Sequence, residues 1–240
     1  MTRRASIFIA LLAAYAAVAV TAQDATAVVD SLGRTLGAPN VRSLQYSGSG
    51  SVYGFGQSYE PGGPWVKFVL KSYTLATDYE RQASREEQVR TYLDPPERGG
   101  TAVFIGELRQ IALLNGAVAW NAAPNGTATP APLAVDARQL QILISPLGFV
   151  KAAMAASPTI ATRTVNGRRF TVVSFMWKDR YKVNGYINGQ NLLEKVETWM
   201  PEPLLGDMLV ENTFSNYRDV AGIKFPGRIV QTQGGFRCST

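Results

Sequence analysis

Turn signals of the Asn-Gly type recur along the chain between segments in which apolar and polar residues alternate. Asn115-Gly116 separates residues 110–114 from 117–121, and Asn166-Gly167 stands in the same way between two later segments. Asn-Gly favours the two-residue turns that join neighbouring antiparallel strands, and a period of two indicates strands with one buried face. The sequence therefore predicts an antiparallel sheet built from hairpins.

The same alternation gives twelve candidate strand segments, from which we expect a meander of about nine or ten strands. Besides those flanking the first turn, the predicted strands are 41–55 (bent at its glycines), 65–81, 86–93, a short one at 103–106, 160–165, 169–177, 181–187, 193–199, 208–217 and 223–232. A sheet of this size should curl into a half-barrel.

Three helices are predicted among the strands. Residues 24–36 place apolar side chains on one face, and Gly37 ends the helix. A stretch rich in Ala, Pro, Asn and Thr, 122–133, predicts a loop. Helices follow at 135–144 and from Pro146, where Ser145 is a good N-cap. We expect an α+β fold, in which the helices cover the concave face of a half-barrel over a single domain, 23–240.

The N-terminus has the pattern of a secretory signal peptide over residues 1–22. Arg3 and Arg4 precede an apolar run of about 14 residues, and Val20-Thr21-Ala22 resembles a cleavage site. An uncleaved anchor is the alternative, although the run is short for a membrane span. We expect a periplasmic or secreted protein that begins at Gln23 and has no transmembrane segment after cleavage.

The chain contains no His and one Cys, which excludes several kinds of site. Ser-His-Asp and Cys-His catalysis need His, and zinc sites need several His or Cys ligands. The sequence therefore predicts no metal, no cofactor and no enzymatic activity in this chain. The net charge of +6 includes Arg3 and Arg4, and no basic stripe is present, so no nucleic-acid binding is expected.

Other motifs have structural explanations that we favour over functional ones. The glycines of 48–54 nearly match a dinucleotide-binding fingerprint but indicate a bent strand, since no βαβ unit surrounds them. Glu86-Glu87 and the pair Glu194 and Glu197 could serve glycosidase-type chemistry, yet they are expected on solvated strand faces. Cys238 is expected to be an incidental tail residue, with an intermolecular disulfide as the alternative.

Aromatic residues suggest an apolar ligand site. Most aromatics in strands are expected in the core, but a curled sheet roofed by helices can enclose a cavity. The candidate ligand-binding residues are Trp120, Phe175 and Trp177 in strands, with Phe149 and Met154 on the inserted helix.

The order of elements, closing on residues 214–217 (FSNY) and 222–226 (GIKFP), resembles the periplasmic lipoprotein-carrier fold. That resemblance implies a half-barrel whose helices close an apolar cavity for lipid chains.

A second resemblance rests on the stretches 57–65 (QSYEPGGPW), 81–87 (RQASREE), 164–168 (TVNGR), 196–199 (VETW) and 205–208 (LGDM). Together they resemble the N-terminal region of secreted bacterial hydrolases of the metallo-β-lactamase fold, over roughly residues 30–236. In that family a zinc-binding catalytic domain follows. None of its His ligands has a counterpart here, so no catalytic residue carries over.

Two functions follow as expectations. The first is a non-catalytic binding domain that holds a lipid-like ligand or docks a partner domain. The alternative is an accessory part of a zinc hydrolase whose catalytic domain is absent from this chain.

Overall fold

The computed structural model describes residues 24–93, 104–202 and 206–240. Its helices are α1 (24–36), α2 (Val135–Leu143) and α3 (Pro146–Ala155). Its strands are β1 (Ser43–Ser58), β2 (Trp65–Asp78), β3 (Ala83–Tyr92), β4 (Leu108–Asn115), β5 (Val118–Ala122), β6 (Ala128–Pro130), β7 (Thr159–Val165), β8 (Arg168–Trp177), β9 (Tyr181–Ile187), β10 (Leu193–Glu202), β11 (Gly206–Val220), β12 (Ile223–Gln233) and β13 (Phe236–Ser239).

The strands form one antiparallel sheet in the order β6-β5-β4-β3-β2-β1-β13-β12-β11-β10-β9-β8-β7. Two meanders, β1–β6 and β7–β13, are thus joined side by side by the pairing of β1 with β13. The edge strands are β6 and β7, which are consecutive in the chain. The segment that holds α2 and α3 therefore connects the two edges of the sheet.

The sheet curls around these helices. Arg138 of α2 donates a hydrogen bond to the carbonyl of Leu113 in β4 at 2.8 Å, and Asn212 of β11 donates one to the carbonyl of Ile144 at 3.3 Å. The strands β4 and β11 are six strand spacings apart, about 29 Å across a flat sheet. Residues 138 and 144 are separated by only about 9 Å of helix. Both contacts can form only because the sheet wraps around α2. We call the face of the sheet that contacts the helices the inner face.

The core lies between the helices and the inner face. Leu32 and Leu36 of α1 and Phe149 of α3 are fully buried in one cluster with strand residues such as Val173 and Val183. Ser145 caps α3 as predicted, since its hydroxyl accepts from the Gly148 amide at 3.2 Å. Burial of each large apolar side chain stabilises the fold by about 1.5–3 kcal/mol. The insertion is therefore part of the core.

The predicted large antiparallel sheet is confirmed, but the strand number and the class are corrected. The described residues contain 13 strands, where nine or ten were expected. With three helices of at most 13 residues beside this sheet, the fold is mostly β, where α+β was expected.

One additional strand is β6, which lies within the predicted loop 122–133. Asn125 accepts a hydrogen bond from the Thr127 amide, and Gly126 has φ of 88°, so the chain reverses there. The strand ends at Pro130, which an edge strand tolerates because no further strand needs its missing amide hydrogen. The overlooked signal was Asn125-Gly126.

A second additional strand is β13, which contains the tail residue Cys238. Its thiol is free and half-buried, and burial raises the pKa of Cys238 to about 11. The expected short strand at 103–106 is wrong over its described part. Residues 104–106 do not form a strand, because Gly106 adopts a left-handed φ of 77° within a bend.

Within the described ranges, no helix has the length and apolar character needed to span a membrane. The predicted signal peptide, residues 1–22, lies outside them.

Candidate ligand-binding site

A cavity of about 450 Å³ opens at one end of the curled sheet, between the inserted helices and β8. This volume is within the range of small-ligand pockets, about 300–1,000 Å³. Residues from α2, α3, β8 and the turn after β2 line it: Tyr79, Gln82, Ile142, Leu143, Gly148, Lys151, Ala152, Ala155, Ala156, Phe175, Met176, Trp177 and Lys178.

The cavity reaches from the surface into the core. Ile142, Leu143 and Phe175 are buried members of the main core cluster and line its deep part. Ala152 and Ala155 of α3 line it nearer the surface, where their small side chains leave space. The deep part of the wall is therefore apolar, which suits an apolar ligand, while Gln82, Lys151 and Lys178 supply polar groups elsewhere in the lining.

Tyr79 contributes an aromatic ring to the deep wall. Its side chain is buried, and burial raises the pKa of Tyr79 to about 12. The phenol is therefore neutral at physiological pH. The Lys151 ammonium lies 5.7 Å from the centre of this ring, within cation–π range.

Two lysines are the charged residues among those that line the cavity. Lys178 lies 4.5 Å from the centre of the Trp177 ring and donates hydrogen bonds to Asp136 at 2.8 Å and Gln139 at 2.6 Å. Lys151, the other lysine, makes no ion pair within the described part of the chain.

Polar contacts hold α2 against strands near both edges of the sheet. Arg138 donates to the carbonyl of Trp120 in β5 at 2.7 Å, in addition to that of Leu113. On the other side, Asp136 accepts from Lys178 and from the Tyr181 hydroxyl, the latter at 2.9 Å. The hydrogen bonds from Lys178 and Tyr181 keep the pKa of Asp136 below its ordinary value, although burial opposes the shift. The wall of the cavity formed by α2 is thus fixed from two directions.

The structure brings three of the five predicted ligand residues together. Phe175 and Trp177 both line the cavity, together with Met176 between them. Phe149 packs behind Phe175, with ring centres 5.6 Å apart, but it is fully buried and does not line the cavity.

The other two predicted residues lie elsewhere. Trp120 is on β5, where its carbonyl binds Arg138. Met154 is on the outer side of α3, 44% exposed, with its methyl group beside Gly33 of α1. Conversely, Tyr79, Lys151 and Lys178 were missed. No local pattern could indicate them, because they meet only when β2, α3 and β8 come together.

A second cavity, of about 480 Å³, lies at the other end of β2 beside the β1–β2 turn. Tyr59, Trp65 and Phe236 line it together with glycines, Ser58, Glu60 and Pro61. The Trp65 and Phe236 rings stack with centres 4.8 Å apart. This cavity lies among turn residues, and none of the buried core side chains lines it.

The predicted carboxylate pairs are not assembled as acid–base pairs. Glu86 accepts hydrogen bonds from Tyr73 and Gln141 on the inner face, whereas Glu87 forms ion pairs with Arg85 and Arg109. Adjacent residues of a strand point to opposite faces, so these two carboxyl groups are kept apart.

Glu194 and Glu197 also have separate partners. Glu194 pairs with Arg168, and Glu197 accepts from Lys195, Asn184 and Tyr186 at 2.8–2.9 Å. The expectation of a solvated face is wrong for Glu197, which is buried because these neighbours cover it. Among the described residues, no group of three or more Asp, Glu, His or Cys could hold a metal ion.

No model of a known protein family matches the sequence, and no curated protein matches it. Among solved structures, the chain is similar to a domain described as an outer membrane lipoprotein-sorting protein from Vibrio parahaemolyticus. The TM-score is 0.50 at 10% identity, over 91% of this chain and 88% of that chain. A LolA superfamily protein from Nitrosomonas europaea covers 84% of this chain and 83% of its own, with a TM-score of 0.48 and 17% identity.

The Vibrio structure shows that the chain has the fold of a lipoprotein-sorting domain. The carrier-like architecture predicted from the order of elements is therefore confirmed at the level of fold. The comparisons give no support to the resemblance to metallo-β-lactamase-fold hydrolases, which stays a prediction.

Proposed function

We propose that this protein is an exported, non-catalytic binding protein that holds an apolar, lipid-like ligand in the cavity between α2, α3 and β8. The observation that carries the proposal is the cavity itself, which runs from the surface to the buried side chains of Phe175 and Leu143. Apolar walls with few polar groups are typical of small-molecule sites.

The fold supports the same role. A solved neighbour with this fold is described as an outer membrane lipoprotein-sorting protein. The signal-peptide pattern of residues 1–22 supports a periplasmic or secreted location. Recovery of the exported protein with Gln23 at its N-terminus would agree with that location, whereas retention of Met1 would contradict it.

The test is the binding of N-phenylnaphthylamine, an uncharged fluorophore, to the purified mature chain. Ala152 lines the cavity on α3, so Ala152→Trp should fill it and lower the affinity at least about tenfold. Ala137 on α2 is exposed and lies outside the cavity, so Ala137→Trp is the matched control and should bind as the unmodified protein does.

Thermal unfolding of both variants separates a blocked cavity from a misfolded chain. The proposal is contradicted if the unmodified protein binds no fluorophore. It is also contradicted if a folded Ala152→Trp variant binds as well as the Ala137→Trp control.

A further inference from the structure

The charge of the cavity is of one sign. Both charged residues that line it are lysines, one on α3 and one at the end of β8. Asp136 is the nearby acid, and it is held by Lys178 and Tyr181. A ligand that enters this cavity therefore meets apolar side chains in its deep part, and lysines are the charged groups beside it.

The two lysines are not equivalent. Lys178 is neutralised by Asp136 and further bound by Gln139, so its hydrogen-bonding capacity is largely used. Lys151 faces only the ring of Tyr79 and has no carboxylate partner in the parts of the chain that the structure describes. Lys151 is thus the cation that remains available to a ligand.

We propose that the ligand is a single-chain amphiphile with an anionic head group, of which a fatty acid is the simplest example. This inference rests on the proposed function, since it assigns the ligand class of the same cavity. The alkyl chain lies against Phe175, Leu143 and Ala152, and the carboxylate accepts a charge-assisted hydrogen bond from Lys151.

The physical reason is the partly buried position of Lys151 at the edge of an apolar cavity. Charge pairs are stronger where the surroundings are less polar than water, and hydrogen bonds between charged groups are the strongest of their kind. An uncharged head group cannot form this pair, and a cationic one is repelled by Lys151. The cavity should therefore discriminate by head-group charge among ligands with the same chain.

The experiment compares dodecanoate, dodecanol and dodecyltrimethylammonium as competitors of N-phenylnaphthylamine at neutral pH. The mature chain should bind dodecanoate at least about fivefold more tightly than dodecanol, and the cationic amphiphile most weakly. Lys151→Gln should lower the dodecanoate affinity to that of dodecanol and leave the dodecanol affinity unchanged.

Lys182→Gln is the matched control, because Lys182 is exposed on β9 and lies outside the cavity. This variant should keep the preference for dodecanoate. Equal affinities of dodecanoate and dodecanol for the unmodified protein would overturn the inference, as would an equal loss of both in Lys151→Gln. In those cases fluorophore binding still supports the proposed function, whereas failure of the fluorophore itself to bind contradicts both.

Discussion

At the residue scale, the contact between Phe149 and Gly185 fixes the position of α3 on the sheet. Phe149 is fully buried, and a β-carbon on Gly185 would overlap its ring. A glycine is therefore required at position 185 because the ring approaches the backbone closely. A positive φ is not the reason, since the Gly185 backbone does not adopt one. The sequence indicated that Phe149 needs an apolar partner, but it could not indicate that a glycine of β9 would receive the ring.

Gly185→Ala should destabilise the protein by about 1–3 kcal/mol, because the added methyl group overpacks the core against Phe149. Gly189→Ala is the control, since a β-carbon there meets open space. Chemical denaturation measures both free energies of unfolding. If Gly185→Ala were as stable as Gly189→Ala, α3 would not rest on β9 as described.

The same scale explains why the residues that line the cavity were predicted only in part. Phe175 and Trp177 share a strand face, so a period of two groups them from the sequence alone. Lys151 and Tyr79 are 72 positions apart in the chain and meet through the packing of α3 against the turn after β2. Contacts of that range carry no local signal.

At the element scale, β9, β10 and β11 are linked by a charged network on the outer face. Lys195 bridges Glu197 and Glu211, at 2.8 Å from each. Burial alone would raise the pKa of Glu197, but the hydrogen bonds from Lys195, Asn184 and Tyr186 outweigh it and hold the pKa below its ordinary value. The pattern of 193–199 predicted the strand correctly. It could not show that Glu197 would be covered, because the covering groups come from neighbouring strands.

Glu197→Gln should lower stability at neutral pH by about 1–3 kcal/mol, since hydrogen bonds to a charged group are lost. A carboxyl group whose folded pKa is depressed stabilises the protein above its unfolded pKa, about 4.3. That contribution disappears as the pH falls through the folded pKa.

The difference in unfolding free energy between Glu197→Gln and the unmodified protein should therefore shrink on acidification below about pH 4. Denaturation at several pH values measures it. Glu60→Gln, at an exposed turn residue, is the control and should follow the unmodified protein throughout. A difference that stays constant down to strongly acidic pH would contradict the network.

At the scale of the whole molecule, the junction of β1 with β13 joins two meanders into one sheet. It rests on the pair Val52 and Ser239 and on two hydrogen bonds between Ser51 and Thr240, at 2.9 and 3.1 Å. Gly50 allows this approach, because a β-carbon there would overlap the Thr240 carbonyl. Hairpin signals predicted each meander well. The pairing of the first and last strands could not be predicted in this way, because no turn sequence joins β1 to β13.

Gly50→Ala should weaken this junction and lower the free energy of unfolding by about 1–3 kcal/mol. Gly48→Ala in the same strand meets open space and should be neutral or slightly stabilising. Hydrogen exchange at the Ser51 and Thr240 amides should accelerate in Gly50→Ala alone. Equal exchange in the two variants would mean that the meanders are not joined there.

Photolabelling with an uncharged alkyl diazirine tests the central claim most directly, since the label marks the residues that surround a bound apolar chain. We predict adducts on the segments 151–156 and 175–178, which line the cavity between α2, α3 and β8, and their loss in Ala152→Trp but not in Ala137→Trp. Labelling confined to residues 56–65 and Phe236, around the second cavity, would contradict the assignment and place the apolar ligand at the opposite end of the sheet.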